Sequence, residues 1–461
     1  MTTLFKRALR SLALLSFTGI SPLSQAAEKP NIVVIFADDL GYGDLASYGA
    51  NYPTPALDSL AQEGFRSTDM ISAANVCTPS RVALLTGRYP MRAGLPTYRD
   101  PKKTRTYGLN PEEITIAELL KKADYSTFAI GKWHLGFEME GAHPMDVGFD
   151  TYFGLPYNYS TKHEPWNMAL FRDREMIEKK IKFPVVTTRY NEEVVKFIEQ
   201  QPKEKPFFIY MAHQIAHSPV LPSKPFQGAS KKGKYGDFVT ELDHSVGVVL
   251  EALKTNGFDA NTLVVFLADN GQAKVGSAGP LAGSKYTTME GGHRVPAIFR
   301  WKGTIPAGQV SDTTLSNMDL LPLFCDLAGV QLPSDRTIDG KNIKDILLGH
   351  SIESPHAYLY YYNGQNLQAI RKGKWKLHLP RTVEDQPYWG KVSRKRSFVT
   401  LTEPFLVDLE SDIAEKVNVA AENPELVDAL MQQADRMRAE LGDVNEKGRD
   451  QRDYWAPDIA N

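Results

Sequence analysis

Three aspartates, Asp38, Asp39 and Asp269, and the amide of Asn270 fall in two polar turns, Asp38-Asp39-Leu40-Gly41 and Asp269-Asn270-Gly271, each directly behind an apolar run. Taken singly such turns need no function, because Asp, Asn and Gly are ordinary turn residues. Gathered at one place, three carboxylates repel one another, and a bound cation is the simplest remedy. An all-oxygen donor set suits a hard ion such as Ca²⁺ or Mg²⁺ better than Zn²⁺, which usually takes His or Cys. A second constellation is the string Cys77-Thr78-Pro79-Ser80-Arg81-Val82-Ala83-Leu84-Leu85-Thr86-Gly87-Arg88. Thr78 reads as an N-cap and Pro79 as a first helical residue, which sets Cys77 just before a helix N-terminus, where the dipole favours negative charge. Arg81, one turn on, could steady an anion or orient the group at position 77. A free-thiol nucleophile or a packed core cysteine would each explain Cys77 alone, and neither explains the whole string. Lys132, His134, His213, His217 and Lys285 are further candidates.

Positioning these groups is the task of four short apolar runs, residues 31–36, 125–130, 206–211 and 262–267, which read as strands buried on both faces. Helical patterns at 114–122, 189–200 and 238–256 lie between them. Such alternation predicts a mostly parallel sheet sandwiched by helices. Each run ends in a polar cluster: Asp38-Asp39, Lys132-Trp133-His134, His213 with His217, and Asp269-Asn270. Ligands of open parallel sheets bind at the carboxyl ends of the strands, so all four clusters are expected on one edge. Beyond about Pro355 the texture changes to alternating aromatic-rich runs, read as a smaller antiparallel sheet, and a closing helix follows with Asn423 as N-cap, Pro424 in its first turn, and Leu426, Leu430, Met437 and Leu441 on one face. The expected division is a signal peptide at 1–27, a catalytic domain at 28–350 and an α+β subdomain at 351–461.

At the Cys77 string the chain resembles the formylglycine-dependent sulfatase family, of the arylsulfatase and N-acetylgalactosamine-6-sulfatase type. The likeness runs in order through Asp38-Asp39-Leu40-Gly41-Tyr42-Gly43-Asp44, Gly131-Lys132-Trp133-His134-Leu135-Gly136, Ala212-His213-Gln214-Ile215-Ala216-His217-Ser218-Pro219, Ala268-Asp269-Asn270-Gly271 and the stretch 285–296, into the small carboxyl-terminal sheet. It implies an alkaline-phosphatase-like large domain, one Ca²⁺ per chain, and oxidation of Cys77 to 3-oxoalanine (formylglycine) by a separate formylglycine-generating enzyme. Asp38, Asp39, Asp269 and Asn270 match the family's metal ligands, and the modified residue 77 completes the shell. Arg81 matches the arginine supporting the formylglycine, Lys132 and His134 the Lys-x-His pair, His217 the histidine beside the leaving group, and Lys285 the lysine gripping the sulfate.

The implied chemistry explains these residue types. Sulfate-ester cleavage moves charge onto the attacking and leaving oxygens, which Ca²⁺, Lys132, Lys285 and Arg81 would offset. By this likeness a hydrated aldehyde at position 77 attacks sulfur with Asp269 as base, and His217 protonates the departing alcohol. His134 then removes a proton, so that the aldehyde reforms and sulfate leaves. Two departures stand out. Asn158 falls where some members carry a serine near the sulfate. His293 replaces a usual aliphatic residue and is read as structural, and for His213 an architectural and a pocket-lining role are left equally open.

Composition bounds the rest. With 42% hydrophobic and 23% charged residues in 461, the chain is an ordinary globular protein. Lys6, Arg7 and Arg10 precede an apolar run and the small residues Ser24-Gln25-Ala26-Ala27, which together predict export to the periplasm or medium. Removing that segment takes away three cations and no anions, so the formal charge moves from -2 to -5, which argues against nucleic-acid binding. No later run reaches the ~20 apolar residues of a membrane span. Two cysteines, Cys77 and Cys325, make no disulfide scaffold, and Cys325 reads as a buried inert thiol. Two basic clusters, Arg99, Lys102, Lys103 and Arg105, and Lys391, Arg394, Lys395 and Arg396 beside Tyr388 and Trp389, read by default as solvated surface; at a pocket rim they would suit a sulfated glycan. The expected substrate is a sulfated carbohydrate or aryl sulfate. Rival readings are a phosphate or phosphonate monoester hydrolase of the same superfamily and a glycan-binding protein without turnover.

Overall fold

A computed structural model of the chain describes residues 29–96, 107–160, 168–382 and 400–455. The signal-like segment 1–27 and the two basic clusters with Tyr388 and Trp389 lie outside the described residues. In chain order the strands are β1 (Asn31–Ala37), β2 (Phe65–Ile71), β3 (Ser126–Gly131), β4 (Thr151–Gly154), β5 (Leu170–Arg172), β6 (Glu175–Glu178), β7 (Phe207–Ala212), β8 (Thr262–Ala268), β9 (Arg294–Trp301), β10 (Gln309–Ser311), β11 (Leu315–Ser316), β12 (Leu359–Asn363), β13 (Asn366–Lys372), β14 (Trp375–His378) and β15 (Phe405–Asp408). The helices are α1 (Pro55–Gln62), α2 (Cys77–Thr86), α3 (Ile116–Lys122), α4 (Val186–Glu199), α5 (Gly233–Thr255), α6 (Glu290–His293), α7 (Leu320–Ala328), α8 (Lys344–Leu347) and α9 (Pro424–Leu441).

Every residue of β1, β7 and β8 is buried, as expected of strands covered on both faces. They form the middle of an eleven-stranded sheet of order β10-β2-β9-β8-β1-β7-β3-β4-β5-β6, with β11 also on β2. Strands β8, β1, β7, β3 and β4 run parallel, and the antiparallel strands lie toward both edges. Register pairs Ala37 with Ala268, Phe36 with Ala212 and Gly131 with Ala212, so these four strands end level and their polar continuations share one edge. Helices α1, α4 and α5 pack together on one side, and α2, α3 and α7 on the other. Each buried Val, Leu, Ile or Phe contributes about 1.5–3 kcal/mol, enough to offset the roughly 1–2 kcal/mol lost in ordering its backbone.

A second, antiparallel sheet of order β12-β13-β14-β15 carries α9 against β13. Its core is shared with α2 and neighbouring segments of the large domain: Tyr360, Leu367, Ile370 and Leu377 pack with Ala83, Tyr89, Met91 and Met318. Helix α9 buries Leu430, Ala434, Met437 and Leu441, while Leu426 is only partly buried. Asn423 occupies the cap position, yet its side-chain amide donates to the Val419 carbonyl at 2.8 Å and caps nothing. Beneath the second sheet lies a buried ionic cluster in which Asp69, Glu290 and Glu415 meet Arg294, Arg371 and Lys376.

Candidate active site

The signature string folds as α2, but one feature differs from the sequence expectation. The helix begins at Cys77 with Val76 at the cap position, and Thr78 is not the N-cap. Its hydroxyl is taken by His134 Nδ1 at 3.1 Å, a tertiary partner that local sequence cannot show. Cys77 therefore stands in the first turn, buried. Ser80 and Arg81 clip the helix to the sheet edge. Ser80 donates to the Asp269 carbonyl just beyond β8, and Arg81 Nη1 donates to the Lys132 carbonyl just beyond β3 at 3.0 Å.

Around Cys77 the predicted groups converge. Lys285 Nζ lies 3.0 Å from Cys77 Sγ and 2.6 Å from Asp39 Oδ1, and Cys77 Sγ is 3.9 Å from that same Asp39 oxygen. Asn270 Nδ2 donates to Asp39 Oδ1 at 2.8 Å, and the Asp39 amide donates to Asp269 Oδ1 at 3.0 Å. Lys132 Nζ bridges both oxygens of Asp38 at 2.9 and 2.7 Å. Arg81 Nη2 pairs with Asp269 Oδ2 at 3.1 Å and Asp38 Oδ1 at 3.5 Å. At the rim, His217 Nε2 is 3.7 Å from Asp39 Oδ2. The three carboxylates thus meet the three cations that the family resemblance named, Lys132 just beyond β3, Arg81 of α2 and Lys285 of the 285 loop.

Backbone geometry at the site is unusual. Asp39 (φ 58°), His134 (φ 64°) and Tyr286 (φ 72°) all occupy the left-handed region, which costs of order 1–3 kcal/mol each and persists where the surroundings enforce it. Gly131 ends β3 at φ 104°, and a Cβ there would sit 1.9 Å from the Ala212 carbonyl oxygen. At Gly271 a Cβ would lie 1.8 Å from the Gly291 carbonyl oxygen, so only glycine lets α6 close on the loop that carries Asn270.

Electrostatics follow from burial. Burial pushes the Cys77 thiol up to about 12, with Lys132 and Lys285 pulling against it. A reactive cysteine needs a lowered value, so the surroundings do not favour a free-thiolate nucleophile. Burial and the adjacent Asp38 charge raise the Asp269 carboxyl to about 8. For Asp38 burial acts upward too and is the largest single influence, but Lys132, His217, Arg81 and Lys285 together outweigh it and hold the group well below the usual range. Burial acts to discharge Lys285, yet Asp39 together with Cys77, Tyr286 and Asp38 outweighs it and holds the ammonium well above its ordinary value. Burial, reinforced by the neighbouring Lys132, holds His134 neutral, and burial lowers His217 despite Asp39.

The donor set fits a hard divalent cation. Ligand atoms of Asp38, Asp39 and Cys77 lie within 4.8 Å of one another, and Asn270 Oδ1 is buried without a hydrogen-bond partner. A cation there would satisfy that oxygen and oppose the rise at Asp269.

Two histidines stay outside this group. His213 is buried, with Nε2 3.2 Å from Ser245 Oγ and its ring edge-on to Tyr190, so it holds β7 against the α4 and α5 layer. His293 donates from Nδ1 to the Ser72 carbonyl at 2.8 Å and packs on Tyr361. Cys325 is buried in α7, where burial pushes its thiol up to about 12. Asn158, named from the sequence as a departure near the sulfate but given no role, follows β4, and its amide reaches His217 Nε2 at 3.1 Å.

The Sulfatase family model matches residues 30–330, and a model for the C-terminal region of aryl-sulfatase matches residues 354–460. N-acetylgalactosamine-6-sulfatase of Rattus norvegicus is 42% identical over 382 residues, covering 77% of this chain and 72% of that protein. Arylsulfatase A of Homo sapiens is 36% identical over 463 residues, covering 92% and 90%. The solved structure of Ps i-CgsB in complex with k-i-k-neocarrahexaose superposes with a TM-score of 0.78 at 30% identity, covering 89% of this chain and 93% of that one. Matched over most of its length by this family, the chain belongs to the sulfatases, sulfuric ester hydrolases built on an alkaline-phosphatase-like sheet.

Proposed function

We propose that the chain is an exported sulfatase that hydrolyses sulfate monoesters of carbohydrates, with Ca²⁺ held by Asp38, Asp39, Asp269 and Asn270 and with Cys77 converted to formylglycine by a separate maturation enzyme. The observation that carries this reading is the seat of Lys285 Nζ, in contact with both Cys77 Sγ and Asp39 Oδ1. It sets a fixed positive charge where the acidic cluster meets residue 77, which is what an anionic ester needs. When present, the ion supplies positive charge to the ester oxygens, and the hydrated aldehyde supplies an oxygen nucleophile with a second hydroxyl for releasing sulfate.

The chain's own residues do the remainder. Lys285 and Lys132 offset charge on the sulfate oxygens, and Arg81 keeps Asp38 and Asp269 in place. Ser80 ties the Asp269 carbonyl to α2, so this carboxylate and position 77 hold a constant separation. Asp269 is assigned to take the proton of a hydroxyl at position 77. His217 gives a proton to the departing alcohol, and the buried neutral His134, oriented by Thr78, accepts one as sulfate leaves.

Carbohydrate as substrate is supported by the relative named N-acetylgalactosamine-6-sulfatase and by the neighbour bound to a neocarrahexaose. Export is supported by residues 1–27, and among the described residues no helix is long and apolar enough to cross a membrane. The test is sulfate release from a panel of defined sulfated oligosaccharides, run beside a matched aryl sulfate and aryl phosphate. Turnover of at least one oligosaccharide, with the aryl sulfate cleaved far faster than the phosphate, is expected. Faster phosphate cleavage would overturn the assignment, and sequencing the exported protein's N-terminus should begin near Ala27 or Glu28.

A further inference from the structure

We propose that Glu415 is a positioning residue that holds Lys285 against position 77 by accepting, from the segment after β15, the first backbone amide of α6. The inference rests on the assignment of Lys285 to the sulfate oxygens and deepens it.

Lys285 stands on an irregular loop between β8 and α6. Its own amide donates to the Gln272 carbonyl at 2.9 Å, and the Tyr286 amide donates to the Asn75 carbonyl at 3.0 Å. The rest of the loop leans on α6. The Gly291 amide donates to the Ala282 carbonyl at 2.6 Å, and a Cβ at Gly292 would come within 2.1 Å of the Thr287 carbonyl oxygen. Helix α6 thus abuts the loop on either side of Lys285. Where this helix lies decides where the ammonium lies.

A single turn of helix does not sustain itself, and the residue at its cap position, Met289, makes no side-chain cap. Glu415 supplies the acceptor from 125 residues away: its Oε2 accepts the Glu290 amide at 2.6 Å. Glu415 is buried at φ 53°, in the left-handed region that a non-glycine residue holds only where its surroundings enforce it. Here they are a turn in which the Asp412 carboxylate accepts the Lys416 and Val417 amides at 2.6 and 2.8 Å and the Asp412 carbonyl accepts that of Glu415 at 3.1 Å. Oε1 of Glu415 accepts from Lys376 Nζ at 3.0 Å and from His378 Nε2 at 2.8 Å, both on β14. Lys376 also reaches Glu290 Oε1 at 2.9 Å, so β14 grips the first residue of α6 by its side chain and, through Glu415, by its amide. Glu415 therefore has two separable effects: its charge balances Lys376, and its second oxygen fixes α6. Glutamine keeps an accepting oxygen without the charge, whereas alanine and leucine keep neither.

The experiment uses full-length enzyme at saturating calcium, with conversion at position 77 measured by peptide mass so that rates refer to active molecules. Glu415→Ala, Glu415→Leu and Glu415→Gln are assayed on an aryl sulfate, Glu415→Ala also in combination with Lys285→Met, and the melting temperature of each is recorded. Misplacing a catalytic group from a distance costs up to about a hundredfold, so alanine and leucine are expected to lower kcat about tenfold to a hundredfold. Glutamine should lower the melting temperature comparably, since all three variants lose the charge, yet keep kcat within about threefold of wild type. Independent effects multiply, whereas effects that pass through one group do not, so in Lys285→Met enzyme the further change Glu415→Ala should cost less than about threefold. Full multiplication of the two losses, a kcat that follows melting temperature across the three variants, or an undiminished kcat with alanine and leucine would overturn the proposal. If Lys285→Met itself keeps full activity, the assignment of Lys285 fails, and this proposal with it. Should Glu415→Ala not fold, Glu415→Leu takes its place in the cycle, and a loss of about tenfold or more in Glu415→Gln overturns the proposal by itself.

Discussion

Replacing Arg371 by methionine should destabilise the protein by about 3–5 kcal/mol, the range for stripping one partner from a buried ion pair. The figure follows from the surroundings of this guanidinium. It pairs with both oxygens of Asp69 at 2.9 and 2.5 Å, reaches Glu290 at 3.4 Å and Thr314 Oγ1 at 3.1 Å, and donates from Nε to the Gly373 carbonyl at 2.7 Å. Its side chain is 5% exposed. Three carboxylates and three cations balance in the cluster, so removing one cation leaves a buried negative charge unmatched, though Arg294 still contacts Asp69 and Glu290. Stability is also expected to depend on pH in a defined sense. Burial acts to raise Asp69 and Glu290, but Arg294 and Arg371 outweigh it at Asp69, and Lys376 with the same two arginines does so at Glu290. A carboxyl lowered on folding contributes stability above its unfolded value, near 3.8 for Asp69 and 4.5 for Glu290, and that contribution is lost as pH falls through the folded value. The gap between wild type and Arg371→Met should therefore be widest at neutral pH and narrow below about pH 4. Urea unfolding of both proteins at pH 7 and pH 4, reading the first transition, measures it. A neutral-pH loss under about 1 kcal/mol, the scale of an exposed pair, or a gap independent of pH would refute the reasoning.

Two further outcomes follow from the site. Lys285→Met removes the ammonium that touches Cys77 and Asp39 and should lower kcat by about 10²–10³, with the far-ultraviolet circular dichroism unchanged. Gly271→Ala forces a Cβ to within 1.8 Å of the Gly291 oxygen, so the backbone must move and carry Asn270 with it. Isothermal titration with calcium should show weakened binding together with lost turnover, and an unaltered affinity would contradict the close approach.

Much of this was legible because the parallel centre of the sheet writes itself plainly. Residues of β1, β7 and β8 are buried on both faces, so they appear as unbroken apolar runs, and the polar residue following each run had to lie at the sheet edge. The flanking strands were not legible. Strand β2 reads Phe-Arg-Ser-Thr-Asp-Met-Ile, with Asp69 buried only because arginines of β9 and β13 pair with it. Strand β9 contains Pro296, which argues against an inner strand; the structure admits it where the β2 register slips, between the Ser67–Ala297 and Met70–Val295 pairs. At the site, residue types disclosed the donors and cations, but not their pairing. That Thr78 would turn from capping its helix to holding His134, or that Lys132 would bridge both oxygens of Asp38, depends on strands 50 or more residues apart in sequence meeting at one edge.

The mass of the tryptic peptide spanning residues 67–81, taken from enzyme that is turning over sulfate esters, tests the central claim most directly. The account predicts that position 77 has lost one sulfur and two hydrogens and gained one oxygen relative to cysteine. Fully active enzyme carrying an unaltered Cys77 thiol would contradict it.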